Sequence, residues 1–280
     1  PYRRQRQMCI RDRGWGNAVV VGSIVVGVVA LAWFIHRQLH IEEPLLQLRA
    51  LKTPTFAYSA VIVTVVNSAL AVGSVILPIY LQNVLGLTAF ETGILMTPGA
   101  VATIFLSPVS GMLFDRFGPR VIAIMGLTGL TASLAALSLV DDKTMVAYLV
   151  AFYVIQSSGL TLANMPVTTW GINALPNDMI AHGNAISNTG RQVGGAVSTA
   201  LIVTVMTMVT AANAEAGPVL STAAGIDVAY GISAAVASVA LVIAVLKVRN
   251  VKKQAVASPA SRAEAPLEIE MEEAREGAAR

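Results

Sequence analysis

The sequence predicts an all-α integral membrane protein of about seven transmembrane helices, and three observations carry that reading. Seven stretches lack Asp, Glu, Lys and Arg altogether: 14–36, 53–90, 92–114, 121–140, 144–177, 192–214 and 228–246. A helix needs about 20 mostly apolar residues to cross roughly 30 Å of hydrocarbon, and each stretch reaches or approaches that length. Charged residues make up 12% of the chain, about half the share usual in soluble domains. A soluble helical bundle would set such residues along the outer face of every helix, and these stretches have none. Finally, Lys and Arg cluster in alternate loops, as the positive-inside rule requires of a multi-pass protein.

The predicted spans, in order, are 17–35, 56–81, 92–114, 121–140, 145–171, 186–211 and 227–247. After the first, third and fifth spans, and after the last, lie Arg37, Arg49 and Lys52; Arg116 and Arg120; Arg191; and Lys247, Arg249, Lys252 and Lys253. The alternate loops carry only Lys143. This asymmetry predicts that the 36–55 and 115–120 loops and the C-terminus face the cytoplasm, in a multi-pass protein of the plasma or inner cell membrane. The lipid bilayer is the first implied partner. Residues 249–280, with Pro259, Pro266 and the Glu-rich run Glu268–Glu276, cannot bury a core and read as a disordered cytoplasmic tail.

The formal net charge of +3 is carried by the N-terminus. Arg3–Arg13 (RRQRQMCIRDR) resembles the translated reading frame of a sequencing adapter rather than a natural protein segment. Without residues 1–13 the chain holds 14 basic and 15 acidic residues and loses Cys9, its single cysteine. Charge and cysteine usage therefore argue neither for a nucleic-acid partner nor for a redox role. On this reading the native polypeptide continues upstream of Gly14, and the chain is a fragment.

The loop after the third span reads Gly111-x-x-x-Asp115-Arg116-x-Gly118-Pro119-Arg120. Gly111 permits close approach of a neighbouring helix. Asp115 stands where it can accept bonds from the amides that open the next helix. Gly118 allows a sharp turn, and Pro119 fixes φ at the start of the fourth span. Arg116 and Arg120 anchor the loop and can meet an acid or a helix C-terminus. The loop reads as a latch that closes one face of the molecule in one state, or else as a solvated turn. Pro98 and Pro108 predict a bent third span.

Other polar features have two readings each. Gly190, Gly194 and Ser198 repeat every four residues and predict a packing seam on the sixth span. Arg191 reads as an interface anchor that snorkels to the headgroups, or as a group that pairs with a partner outside the chain. Asn67, Tyr80, Gln82, Gln156 and Asn164 are candidates for lining a cavity, and each can equally make an interhelical hydrogen bond. No Asp or Glu falls at the centre of a predicted span, Glu91 and Asp227 being at outer ends. No metal-ligand cluster, phosphate-binding loop or nucleophile elbow is present, so no cofactor and no enzymatic activity is expected.

The Gly111–Arg120 loop resembles the loop signature of the major facilitator superfamily. Three stretches narrow the resemblance to the fourteen-span drug/proton antiporters, the EmrB/QacA-like branch. They are His40-x-x-x-Pro44-Leu45-Leu46-x-Leu48 through Thr55-Phe56, Leu77-Pro78-x-Tyr80-Leu81-Gln82-x-Val84-Leu85-Gly86 with Gly93, and Gly183–Gly195. Where the family often has a basic residue, this chain has Pro119. The resemblance implies an extra central helix at 14–36, a cytoplasmic connector at 37–55 and the C-terminal six-helix bundle at 56–248. It implies proton-coupled efflux of amphipathic organic compounds by alternating access, with a small organic substrate, the proton and an N-terminal bundle as partners. The alternatives are an exporter or facilitator of metabolites, sugars or lipids, and, from another class, a non-transporting membrane sensor or scaffold.

Overall fold

The computed structural model describes residues 18–40, 47–139 and 145–248. The segment 1–13, the middle of the 37–55 connector, Lys143 and the 249–280 tail lie outside the described residues. Six long apolar helices appear: α1 Ala18–His40, α2 Pro54–Asn83, α3 Ala89–Leu137, α4 Val146–Ile172, α5 Ile180–Ala212 and α6 Pro218–Lys247. Short single-turn helices at Leu48–Lys52, Asn177–Met179 and Ala214–Ala216 connect some of them, and no strand occurs among the described residues.

Local chemistry sets the ends. Pro54 and Pro218 occupy the first turns of α2 and α6, where a missing N–H costs nothing. Thr88 opens α3 with a capping box: its hydroxyl accepts from Glu91 N at 3.3 Å, and the Glu91 carboxylate accepts from Thr88 N at 2.8 Å. Gly217 precedes α6 at φ 92°, which only glycine adopts without strain.

The α3 run holds two of the predicted spans. At 1.5 Å per residue its 49 residues would reach about 74 Å if straight, far more than a bilayer core. Gly118 breaks it at φ 80°, ψ 170°, and Pro119 starts the second limb. Packing against α4 shows the reversal. Gly99 faces Tyr153 and Gly111 faces Met165, so the first limb runs parallel to α4. Gly126 faces Gly159 and Ala163, and Tyr148 Oη donates to Ala136 O at 3.0 Å, so the second limb runs antiparallel. The described residues of all seven predicted spans are thus helical over most of their length, six of the spans in one bundle. The first limb keeps helical dihedrals through Pro98 and Pro108.

The core is built on α2, α4, α6 and the second limb of α3, with Ile62, Val66, Ile76, Leu130, Ala163 and Ala237 fully buried. Short side chains let the backbones close: Ser59 Oγ donates across to Val167 O at 2.7 Å, and α6 presents Ala237, Ala240 and Ala244 inward. The outside is the reverse of a soluble protein's, with Met125, Met208, Val239 and Leu246 all more than half exposed. An apolar outer surface on membrane-length helices makes this a multi-pass membrane protein.

Two helices start earlier than the charge pattern predicts. α5 begins at Ile180 rather than 186, and α6 at Pro218 rather than 227. Counting charge-free residues stops at Asp227, whereas the helix continues past it.

Candidate functional site: a groove between two spans

An open groove of about 970 Å³ runs between α2 and α5. The two helices lie parallel, since Gly190 meets Thr64, Gly194 meets Ser68, and Gly195 meets Ala71. Gly190 and Gly194 carry no side chain into this contact, and Ser198 is half-buried one turn further on. From α2 the groove receives Asn67, Leu70, Ala71 and Ser74. From α5 it receives Arg191, Gln192 and then Thr199, Val203, Thr204 and Thr207.

The hydroxyls have a defined polarity. Ser74 Oγ donates to Ala71 O at 2.8 Å, Thr204 Oγ1 to Ala200 O at 2.6 Å, and Thr207 Oγ1 to Thr204 O at 2.9 Å. With each proton committed to its own helix, these groups offer lone pairs to the groove. Asn67 Nδ2 is likewise used on Val63 O at 2.8 Å. Donors concentrate at the other end, where Arg191 and Gln192 sit.

Arg191 stands well inside α5 and on the groove wall. Gly183 abuts Phe56 in the first turn of α2, and the 8 residues from Gly183 to Arg191 span about 12 Å of helix. The early start of α5 moves Arg191 from the second turn to the fourth, and the groove wall receives it.

Of the five candidate cavity residues, Asn67 lines the groove. Tyr80 is 1% exposed in the main core, and Gln82 is exposed near the end of α2. Gln156 is 3% exposed with neither amide atom hydrogen-bonded, pressed against the Cα of Gly73. Asn164 O accepts from Thr168 Oγ1 at 2.7 Å on its own helix. Gln156 and Asn164 do not line the groove.

The Asp115–Arg120 loop sits at one end of the bundle. Arg120 Nη2 donates to Val245 O at 3.2 Å, in the last turn of α6, where carbonyls lack helical partners. Arg116 lies over the ring of Phe117, 5.4 Å from its centroid. Asp115 is exposed in the last turns of the first α3 limb, and the reversal comes at Gly118. From Val245, level with Arg120, back to Asp227 is 18 residues, about 27 Å. Asp227 therefore lies toward the opposite end of α6 from Arg120, nine residues after the helix begins.

Sequence reasoning passed over Ser74, Gln192, Thr199, Thr204 and Thr207. The available signal was the stripe Gln192, Gly195, Ala196, Thr199, Ala200, Val203, Thr204, Thr207, small or polar at i, i+3, i+4 and i+7 along α5.

Comparison with known proteins agrees with this architecture. "Uncharacterized MFS-type transporter YcnB" of Bacillus subtilis is 42% identical over 193 residues, covering 69% of this chain and 41% of that protein. "Lincomycin resistance protein LmrB" of Listeria monocytogenes is 37% identical over 195 residues, covering 70% of this chain and 41% of its own length. "Tetracenomycin C resistance and export protein" of Streptomyces glaucescens is 26% identical over 189 residues, covering 68% and 35%. The matched stretch thus spans about two fifths of these relatives' length. Residues 9–199 match the Major Facilitator Superfamily, and on that match, which covers more than half its length, the chain belongs to this family.

Proposed function

We propose that the chain is the C-terminal lobe of a secondary transporter of the fourteen-span drug/proton antiporter branch. The transporter exports amphipathic organic compounds against inward proton flow by alternating access. The observation that carries this reading is the groove: about 970 Å³ of open, largely apolar space with interspersed polar side chains between two parallel membrane spans. That size suits a drug-sized molecule, which the hydroxyl and amide groups set among the apolar residues can orient. The relatives named for lincomycin resistance and for tetracenomycin C resistance and export support the substrate class. In facilitator folds the site lies at the interface of two lobes, so this groove is one wall of it. The coupling acid belongs to the portion of the relatives' length that the chain does not match.

In this reading the Asp115–Arg120 loop and the end of α6 face the cytoplasm, in the plasma or inner membrane. Arg120 on Val245 O is then the inner latch of this lobe. The test is export from an efflux-deficient host expressing the whole reading frame that contains this chain. Retained fluorescent drug should fall relative to the empty host, and a protonophore should restore it. Equal retention with and without the gene rejects export, and efflux indifferent to the protonophore rejects proton coupling.

A further inference from the structure

We infer that the groove is bipolar and that Arg191 is the counter-charge for an acidic group on the exported compound; the inference rests on the export reading above. Thirteen described residues line the groove, and Arg191 is the one ionisable side chain among them. Its guanidinium is a cation with donors and no acceptor, and no Asp or Glu among the lining residues balances it. A plain organic cation entering here gains no counter-ion and meets a like charge. A carboxylate, phenolate or phosphate meets a planar fork of donors suited to bidentate bonding, in surroundings of lower dielectric than water.

The other end has the opposite character. From Arg191 to Thr204 is 13 residues, about 20 Å along α5. There Thr204 and Thr207 have spent their protons on Ala200 O and Thr204 O and present acceptors. Between the two ends Leu70, Ala196, Ala200 and Val203 make a mainly apolar wall interrupted by Ser74 and Thr199, which suits a largely apolar scaffold. The matching ligand is elongated, with an acidic group at one end, hydroxyl or amine donors at the other, and a largely apolar middle. A carboxylate from the facing lobe would offer Arg191 the same chemistry as a substrate carboxylate, and the experiment separates the two sources.

The test uses the product of the whole reading frame, purified in detergent, and two xanthene dyes of nearly equal shape. Rhodamine B carries a free carboxylate, and its ethyl ester is a plain cation. Rhodamine B should bind at least about tenfold more tightly than the ester, and Arg191→Gln should remove the difference. Arg191→Lys, which keeps the charge but loses the fork, should reduce the preference without reversing it, and it serves if the Gln variant does not fold. Equal affinities, tighter binding of the ester, no saturable binding of either dye, or a preference unchanged by substitution each overturn the inference. The last of these results is the one expected if Arg191 pairs with the facing lobe. Gradient-driven efflux by the same protein in cells reports on export separately, so a lost charge preference with efflux intact removes this inference alone.

Discussion

Gly126 and Gly159 meet backbone to backbone. A Cβ on Gly159 would stand 2.6 Å from Gly126 O, and one on Gly126 would stand 2.7 Å from Gly159 O. Neither obstacle is a side chain that can swing away, so the second limb of α3 and α4 must separate to admit even a methyl. Gly159→Ala should lower stability by about 1–3 kcal/mol, as overpacking does, and Gly159→Leu should prevent the bundle from assembling. Gly22→Ala on α1, where nothing lies within 4 Å, is the control. Thermal unfolding in detergent measures both, and equal midpoints for the two Ala variants would contradict the seam.

The chain reversal at Gly118 makes a second prediction. Its φ of 80° with ψ of 170° is a region open essentially to glycine. Gly118→Ala should destabilise by about 1–3 kcal/mol although the residue is only half-buried. A substitution to Ala without effect on the unfolding midpoint would mean that the two limbs turn in another way.

Arg120 and Asp115 separate a latch from a solvated turn. Arg120→Gln removes a surface hydrogen bond to Val245 O, worth at most about 1 kcal/mol. If the contact gates the transport cycle, Arg120→Gln and Asp115→Asn should each slow efflux several-fold while membrane yield stays near wild type. Efflux at the wild-type rate in both variants would leave the loop as a turn.

Gln156 tests whether a buried amide has a transport role. Both its polar atoms are buried and unpaired against Gly73, a situation that disfavours the folded state by about 1–3 kcal/mol. Gln156→Leu, of similar volume, should therefore match or exceed wild-type stability. Unchanged efflux in that stable variant assigns Gln156 to packing, whereas lost efflux shows that it is used in another conformation of the cycle.

The bundle was legible because each element announces itself locally. Long charge-free stretches mark helices, and Gly118-Pro119 marks the reversal. Helix ends were less legible, because charge was used as the boundary and a helix continues past a charge once it leaves the lipid. Asp227 and the early residues of α5 are the cases in point. The groove was not legible, since it depends on α2 and α5 lying side by side, and no local pattern encodes that pairing. Thr199, Thr204 and Thr207 look like ordinary helix residues until a second helix stands opposite. Arg191 was visible, but its place on a groove wall was not, because that depends on α2 standing opposite.

The central claim is that the outer surface of the bundle meets lipid while the α2–α5 groove holds water. Single cysteines in an otherwise cysteine-free background test it directly, with a membrane-impermeant maleimide applied to membranes opened to both faces. Ser74→Cys and Thr199→Cys on the groove should label, whereas Met125→Cys and Val239→Cys, at positions 55% and 59% exposed on the outer surface, should be protected until detergent is added. Labelling of Met125→Cys and Val239→Cys as fast as the groove positions, in intact bilayers, would contradict the account.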